Sequence, residues 1–353
     1  MPTIMGKLDP PPAALRLDID RAALASNWRA LDRLSGNARA GAAVKADAYG
    51  IGARVAVPLL WEAGCRDFFV TYASEAADII DLVPPGNISL LHGPLSAADA
   101  AWARASGVRL VINSLEQAGR WIAAGGGLCD VMVDTGINRL GLPMAALGSE
   151  MLQQLEVDVL MSHLASADED VSFNAVQCAR WNEACGVLPH RRASLANSAG
   201  IVLGEAYHGA LTRPGLSLYG GIARAELTDK IRQVARPMAA IMQVRHISAG
   251  EGVGYNSTFI APAAMQIGVI ALGYADGYLR CWSGGKGTML HAGRRLPVLG
   301  RVSMDMTVVD LTAAPELREG DWVEADFGLC EGAAASGLSQ YELLTLLGRR
   351  YAR

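Results

Sequence analysis

Between residues 42 and 213 the chain alternates between short apolar runs and stretches of helical periodicity, and that rhythm limits what it can fold into more than any other feature. The runs end at Val44, Val70, Leu91, Ile112, Val133, Ser162, Leu195 and Arg213. Helical patterns lie between them at Ala53–Ala63, Ser74–Leu82, Leu95–Ala105, Ser114–Ala124, Val171–Cys185 and Gly200–Tyr207. The unit after Val133 is less regular, because Leu142–Leu155 holds a proline and a glycine. Strands that each feed a helix return parallel, through right-handed crossovers. Eight such units is the count of a (β/α)8 barrel. A doubly wound open sheet is the rival, but no Gly-x-Gly-x-x-Gly follows the first strand.

The 353 residues suit a barrel plus a smaller domain. Residues 1–13 are Pro-rich and predicted to be an extended or disordered lead-in. Leu15 to Asp20 alternates like a half-buried strand, and Asp20 then caps a helix running to about Leu34. After about Thr228 the helical periodicity fades. Short alternating runs such as Met238–His246, Met265–Leu272 and Thr307–Asp310 take over, separated by Gly-rich turns. The expectation is an α/β barrel over 14–230 and a mostly β domain over 231–353. Ser339–Arg353 reads as a closing helix with a basic end.

Half of the residues are hydrophobic (51%), enough for a sizeable core, and the net charge is -4 with no basic block. Nucleic acid is therefore not expected as a partner. The apolar runs fall well short of a membrane span, and the first residues lack the apolar region of a secretory signal. Six cysteines are scattered without a CxxC pair or a zinc-type cluster. Reduced thiols, no metal site and a cytoplasmic location follow as expectations.

In a barrel of this kind the side chains just past the strand C-termini face the active site. Lys45, Asp134–Arg139, His163, Asn197-Ser198 and Arg213-Pro214-Gly215 all fall there. Each has an ordinary structural alternative. Lys45 could snorkel at a strand end, His163 could be a core hydrogen-bonding residue, Arg139 and Arg213 could form surface ion pairs, and Asn197-Ser198 could cap a helix. Taken together they say more. A buried lysine loses its proton easily and makes a good amine nucleophile for a Schiff base. Ser198, Gly200, Gly215 and Gly220 are small enough to let backbone amides approach an anion, and a phosphate belongs near strands seven and eight in this fold. Lysine, phosphate-type turns and two arginines on one rim favour a phosphorylated aldehyde cofactor, pyridoxal 5'-phosphate held as a lysine imine.

Val44-Lys45-Ala46-Asp47-Ala48-Tyr49-Gly50 resembles the pyridoxal-phosphate signature of the alanine racemase family. Other stretches resemble that family's motifs in order: Asp134 to Gly141, His163 with Ala165 to Asp168, Ala196-Asn197-Ser198, Arg213-Pro214-Gly215, Gly252 to Tyr255, Gly273 to Tyr278 and Gly300 to Asp305. The likeness covers about residues 14 to 353. It implies a two-base racemisation of a small amino acid, with Lys45 on one face and Tyr255 on the other. It places His163 and then Arg213 behind Tyr255, with Arg213 also facing the pyridine nitrogen. By the same resemblance Tyr49, Ser198, the backbone of Gly215 and Leu216, and Tyr351 contact the phosphate, and Asn197 belongs to the cofactor-binding set. Arg139 contacts the cofactor phenolate and the carboxylate side of the substrate, and the Met304 amide holds that carboxylate. The family further implies a homodimer in which Tyr255 and Met304 act across the interface.

The sequence departs from the family pattern at Ile51, where the signature often has histidine, and at Ser303, where other members carry cysteine. Met132 stands where some members have a lysine that becomes carbamylated, so another group must orient Arg139. The expected activity is interconversion of L- and D-alanine, for peptidoglycan or for recycling. Rivals are racemisation of serine, lysine or arginine on the same scaffold, a pyridoxal-phosphate carrier without catalysis, and a decarboxylase of the same fold type. The carrier lacks a β domain, and the decarboxylases need a longer chain with a cysteine motif that has no counterpart here.

Overall fold

A computed structural model of the protein describes residues 11–353; most of the predicted lead-in, residues 1–10, lies outside the described residues. The chain forms two compact units. One is Asp20–Val234, and the other joins the segment ending at Ile19 to Ala235–Arg353.

The first unit is built on eight strands among the described residues. The first is interrupted at Gly41 (Arg39–Ala40 and Ala42–Ala43), and the next are Phe68–Val70, Ile88–Leu90, Arg109–Ile112, Leu128–Asp134, Glu156–Met161, Arg192–Ser194 and Leu211–Thr212. Neighbours pair in parallel from the first strand to the seventh. The eighth pairs in parallel with the first, Leu211 opposite Arg39. It also bonds back to the seventh, with Ala210 N donating to Ala193 O at 2.8 Å and Arg213 N donating to Ala196 O at 2.8 Å. The ring is therefore closed, and the unit is a (β/α)8 barrel. Both faces of these strands are covered, which is why they read as continuous apolar runs. Phe69, Val111, Met132, Val159, Met161 and Leu211 fill part of the interior.

The N-terminal end of the barrel is plugged by charge. Arg109 reaches Asp67 at 2.9 Å, Asp158 at 3.0 Å and Asp130 at 3.4 Å, and Arg192 reaches Asp67 at 2.8 Å and Asp158 at 2.7 Å. Asp130 is fully buried and also accepts from Ser89 Oγ and Val159 N. Buried ions persist only when paired and hydrogen-bonded in this way.

The crossover helices follow local capping signals. Asp20 accepts from Ala23 N to start Arg21–Leu34, Ser96 and Asp99 form a capping box on Ala97–Ser106, and Ser114 caps Leu115–Ala123. Two expectations are corrected. Gly200–Tyr207 is not one helix but two 3-10 turns, Gly200–Leu203 and Glu205–Tyr207, because Gly204 sits at φ 114° between them. In the second crossover the α-helix spans only Ala73–Ala77, the rest of that pattern being turns.

The second unit contains a ring of antiparallel strands. Ala235–Ile247, Met265–Ile270, Thr307–Asp310, Arg294–Leu299, Thr288–His291 and Trp322–Ala325 pair in that order, and the last returns to the first. Leu15–Ile19, predicted to begin the barrel region, instead pairs antiparallel with Ala235–Ile247, Leu15 opposite Ala239. Its alternating burial explains this. Leu15 and Leu17 face a core and their neighbours do not, as suits an antiparallel sheet with one solvated side rather than a barrel strand covered on both faces. Two short helices, Leu329–Ser336 and Gln340–Thr345, close the unit, and Ala352 bonds back to Leu15 and Leu17.

The charged plug gives a stability prediction. Arg109→Ala strands Asp130 and weakens the pairing of Asp67 and Asp158, so urea denaturation is expected to show a loss of about 3–5 kcal/mol. A variant within 1 kcal/mol of the parent would contradict the assigned role.

Candidate active site

Lys45, Tyr49, Arg139, His163, Asn197, Ser198, Arg213, Gly215 and Leu216 lie in the barrel unit, each shortly after the C-terminal end of one of its strands. Lys45 follows the first strand and opens an unusual turn. Ala46, Asp47, Ala48 and Tyr49 have φ of 51°, 54°, 53° and 57°, a left-handed turn made without glycine. L-residues lose roughly 1–2 kcal/mol each in that conformation. Side chains compensate. Ala46 N donates to Glu75 Oε1 at 2.7 Å, and Ala53 N donates to Asp47 Oδ1 at 2.7 Å. Burial pushes the Lys45 ammonium below its ordinary pKa, the charge of Arg139 pushes it further, and Glu75 opposes both.

His163 follows the sixth strand by two residues. Burial first, then the charges of Arg213, Arg139 and Lys45, lower its pKa to about 3. The imidazole is accordingly neutral at ordinary pH. Arg213 is buried, and desolvation brings its pKa down to about 10, with Asp130 of the barrel plug acting in the opposite direction. Its guanidinium donates to Ser194 Oγ and to the Ser162 carbonyl. Both acceptors are neutral, so the positive charge is held without being cancelled.

Strands seven and eight end in a turn of small polar residues. Ser198 Oγ accepts from Gly215 N at 3.0 Å and from Ser217 N at 3.3 Å, and Asn197 Oδ1 accepts from Gly200 N at 2.9 Å. Tyr49 packs against this turn so closely that a Cβ on Gly215 would lie 2.3 Å from the Tyr49 hydroxyl. Only glycine fits there. Ser217 Oγ is buried and has no hydrogen-bond partner among the described residues. Ser217 escaped the sequence reading, although its position two residues after Gly215 was a usable signal. Glu75, inside a short helix with an ordinary capping pattern, gave none.

The loop carrying Arg139 is shaped by Asp134, whose Oδ1 accepts from Gly136 N at 2.8 Å and Asn138 N at 3.2 Å. The helix Phe173–Val187 braces it. Arg180 donates to Thr135 O at 3.0 Å, and fully buried Gln177 donates to Thr135 Oγ1 at 3.3 Å and to His163 O at 3.1 Å. Met132 packs into the apolar barrel interior. Side chains of the neighbouring helix therefore brace the Arg139 loop.

Tyr255, Met304 and Tyr351 lie in the second unit. Gly252–Val253 pairs with Phe259–Ile260, and Tyr255 stands in the connecting loop, 64% exposed. Met304, 54% exposed, sits on a loop fixed by Tyr274 N to Ser303 O and Ala275 N to Met304 O, both 3.0 Å. A Cβ on Gly300 would lie 2.7 Å from Val253 O, so these two loops touch. Tyr351 is buried, and its hydroxyl donates to the Asp276 carbonyl at 2.9 Å.

Family models describe both parts of the chain. Residues 19–223 match the alanine racemase N-terminal domain and residues 234–353 match the alanine racemase C-terminal domain. An alanine racemase of Rhizobium meliloti (strain 1021) is 41% identical, over 97% of this chain and 96% of its own length. The crystal structure of alanine racemase from Bartonella henselae with covalently bound pyridoxal phosphate is similar at TM-score 0.86 and 33% identity, covering 97% of this chain and 99% of that one. The biosynthetic alanine racemase from Pseudomonas aeruginosa is similar at TM-score 0.81 and 34% identity, covering 96% and 98%. The chain belongs to the alanine racemase family.

Proposed function

We propose that the protein is a pyridoxal-phosphate-dependent racemase that interconverts L- and D-alanine. The observation that carries the reading is the rim of the barrel unit, where a half-buried amine, Lys45, shares the strand ends with a cradle of amides and hydroxyls around Ser198 and Gly215. The residues present fit the cofactor. Ser217 Oγ is an unsatisfied buried polar group that a phosphate would satisfy, and the amides of Gly215 and Leu216 belong to the same turn. Ser198 and Tyr49 complete the phosphate set. With its hydroxyl donating to the Asp276 carbonyl, Tyr351 is left out of it.

When bound, pyridoxal phosphate supplies an aldehyde that joins an amine and a ring that takes up the electron pair left at the α-carbon. Lys45, held below its ordinary pKa, takes or returns the α-proton on one face. Tyr255 serves the other face. A phenol of ordinary pKa near ~10 is a poor base at neutral pH, so it needs the neutral His163 imidazole behind it as a hydrogen-bonding partner. Arg213 would face the ring nitrogen and has no proton to give it. Arg213 would thereby keep the bound ring a weaker electron sink and limit side reactions. Arg139 and the Met304 amide orient the substrate carboxylate.

Tyr255 and Met304 are large, exposed and on touching loops, which suits burial against a second copy of the chain. A homodimer with shared sites is the assembly proposed. The described cysteines are all free thiols, and burial raises Cys65 to about 12, which suits a reducing cytoplasm. Among the described residues no helix is long and apolar enough to cross a membrane. The D-alanine formed serves peptidoglycan synthesis, or the enzyme recycles it.

With pyridoxal phosphate supplied, chiral chromatography of an amino-acid panel is expected to show alanine turned over well above serine, lysine and arginine. Bound cofactor with no turnover of any amino acid would sink the proposal. Mixing Lys45→Ala with Tyr255→Ala subunits is expected to restore roughly one quarter of the parent sites, since half of the dimers are hybrids with one whole site each. Hybrids that form yet remain inactive argue against shared sites.

His163 also links stability to pH. The unfolded residue titrates near its ordinary 6.5 and the folded one near 3, so the unfolded state binds more protons between those values. Stability from this group is complete above pH 6.5 and falls as pH drops, by about 1.4 kcal/mol per unit. His163→Gln is expected to flatten the stability curve between pH 6.5 and 4.5. Curves of equal slope for parent and variant would show that His163 is not held neutral.

A further inference from the structure

We infer that Glu75 is a positioning residue for Lys45, its carboxylate fixing the left-handed turn that leaves the lysine. The inference rests on Lys45 being the lysine that joins the cofactor. Glu75 is the third residue of Ala73–Ala77, where a carboxylate commonly caps its own helix. Its Oε2 does so, accepting from Thr71 N at 2.6 Å and Tyr72 N at 3.3 Å. A capping role does not account for Oε1, which accepts from Ala46 N at 2.7 Å, twenty-nine positions away in sequence. Ala46 N belongs to the peptide bond that leaves Lys45. Holding that N–H fixes the peptide plane from which the lysine side chain departs, at the point where the backbone enters four consecutive residues of positive φ. One carboxylate thus ties the loops after the first and second strands together.

The charges around Lys45 come from several strands. Arg139 arrives from the loop after the fifth, His163 from the end of the sixth and Glu75 from the second. Arg139 and burial favour the neutral amine, and His163 is itself neutral. Glu75 is the carboxylate that acts the other way. Its removal does two separable things: it frees the turn, and it takes away the charge.

Two variants divide those effects. Glu75→Gln keeps the length but loses the charge, and it turns an amide N–H toward one of the donors that the carboxylate served. Glu75→Asp keeps the charge but shortens the reach. The readout is cofactor attachment to the full-length protein freed of cofactor. Pyridoxal phosphate is added at graded pH, and attachment joins the lysine nitrogen to the aldehyde carbon with loss of one water. Borohydride then delivers hydride to that carbon while water protonates the nitrogen, and the product is mapped by mass spectrometry. The chain has only four lysines, Lys7, Lys45, Lys230 and Lys286, so the map is unambiguous.

Both variants are expected to attach cofactor to Lys45 about tenfold more slowly, from loss of a charged hydrogen bond. Glu75→Gln alone is expected to lower the pH midpoint of attachment. A Glu75→Gln protein with the parent's rate and midpoint overturns the inference. Label on a lysine other than Lys45 in the parent protein would instead overturn the functional reading on which it rests. Should the variants fail to fold, amide hydrogen exchange on the parent decides: strong protection of Ala46 N–H is expected, and exchange at the rate of an open peptide overturns the assignment.

Discussion

The rim of the barrel depends on taking basic groups out of water. Lys45, His163 and Arg213 are all desolvated, and the charges of Lys45 and Arg213 both help to hold His163 neutral. Such groups usually shed their charge or find a carboxylate. Here the two outcomes are divided among them. His163 gives up its charge, Lys45 is brought closer to doing so, and Arg213 keeps its charge because Ser194 Oγ and the Ser162 carbonyl accept its protons. What remains is a surface rich in donors and poor in anions. A phosphate and an electron-withdrawing ring are the ligands such a surface suits.

The same barrel keeps stability and chemistry at opposite ends. Carboxylates gather at the N-terminal end, where Asp67, Asp130 and Asp158 surround Arg109 and Arg192. Cations gather at the C-terminal end. Between them lies an apolar interior that includes Met132. The two ends are not wholly independent, because Asp130 lies close enough to support the charge on Arg213. A floor with three aspartates to two arginines therefore contributes to the rim as well as to the fold.

Much of this was legible in the sequence, for physical reasons. Parallel strands buried on both faces leave continuous apolar runs, so the strands and the polar residues at their ends could be placed by counting. The departures have physical causes too. Leu15–Ile19 pairs with residues more than two hundred positions away, and its alternation shows only that one of its faces is buried, not against what. Gly200–Tyr207 has helical spacing, yet Gly204 breaks it with a positive φ that spacing does not reveal. The support of the Arg139 loop could not be read at Met132, because it comes from Gln177 and Arg180 on a helix some forty residues on. Glu75 was hidden for a related reason, since its second bond is long-range. Resemblance puts the phenol of Tyr351 on the phosphate, and in the structure that hydroxyl donates to the Asp276 carbonyl.

The central claim is that Lys45 and the cradle at Ser198, Gly215 and Ser217 hold one molecule of pyridoxal phosphate between them. A crystal structure of the protein grown with that cofactor tests it most directly. The account predicts electron density continuous from Lys45 Nζ to the cofactor, the phosphate within hydrogen-bond distance of Ser198 Oγ, Ser217 Oγ and the Gly215 and Leu216 amides, and Arg213 at the ring nitrogen. A phosphate seated elsewhere, or density joined to another side chain, would contradict it.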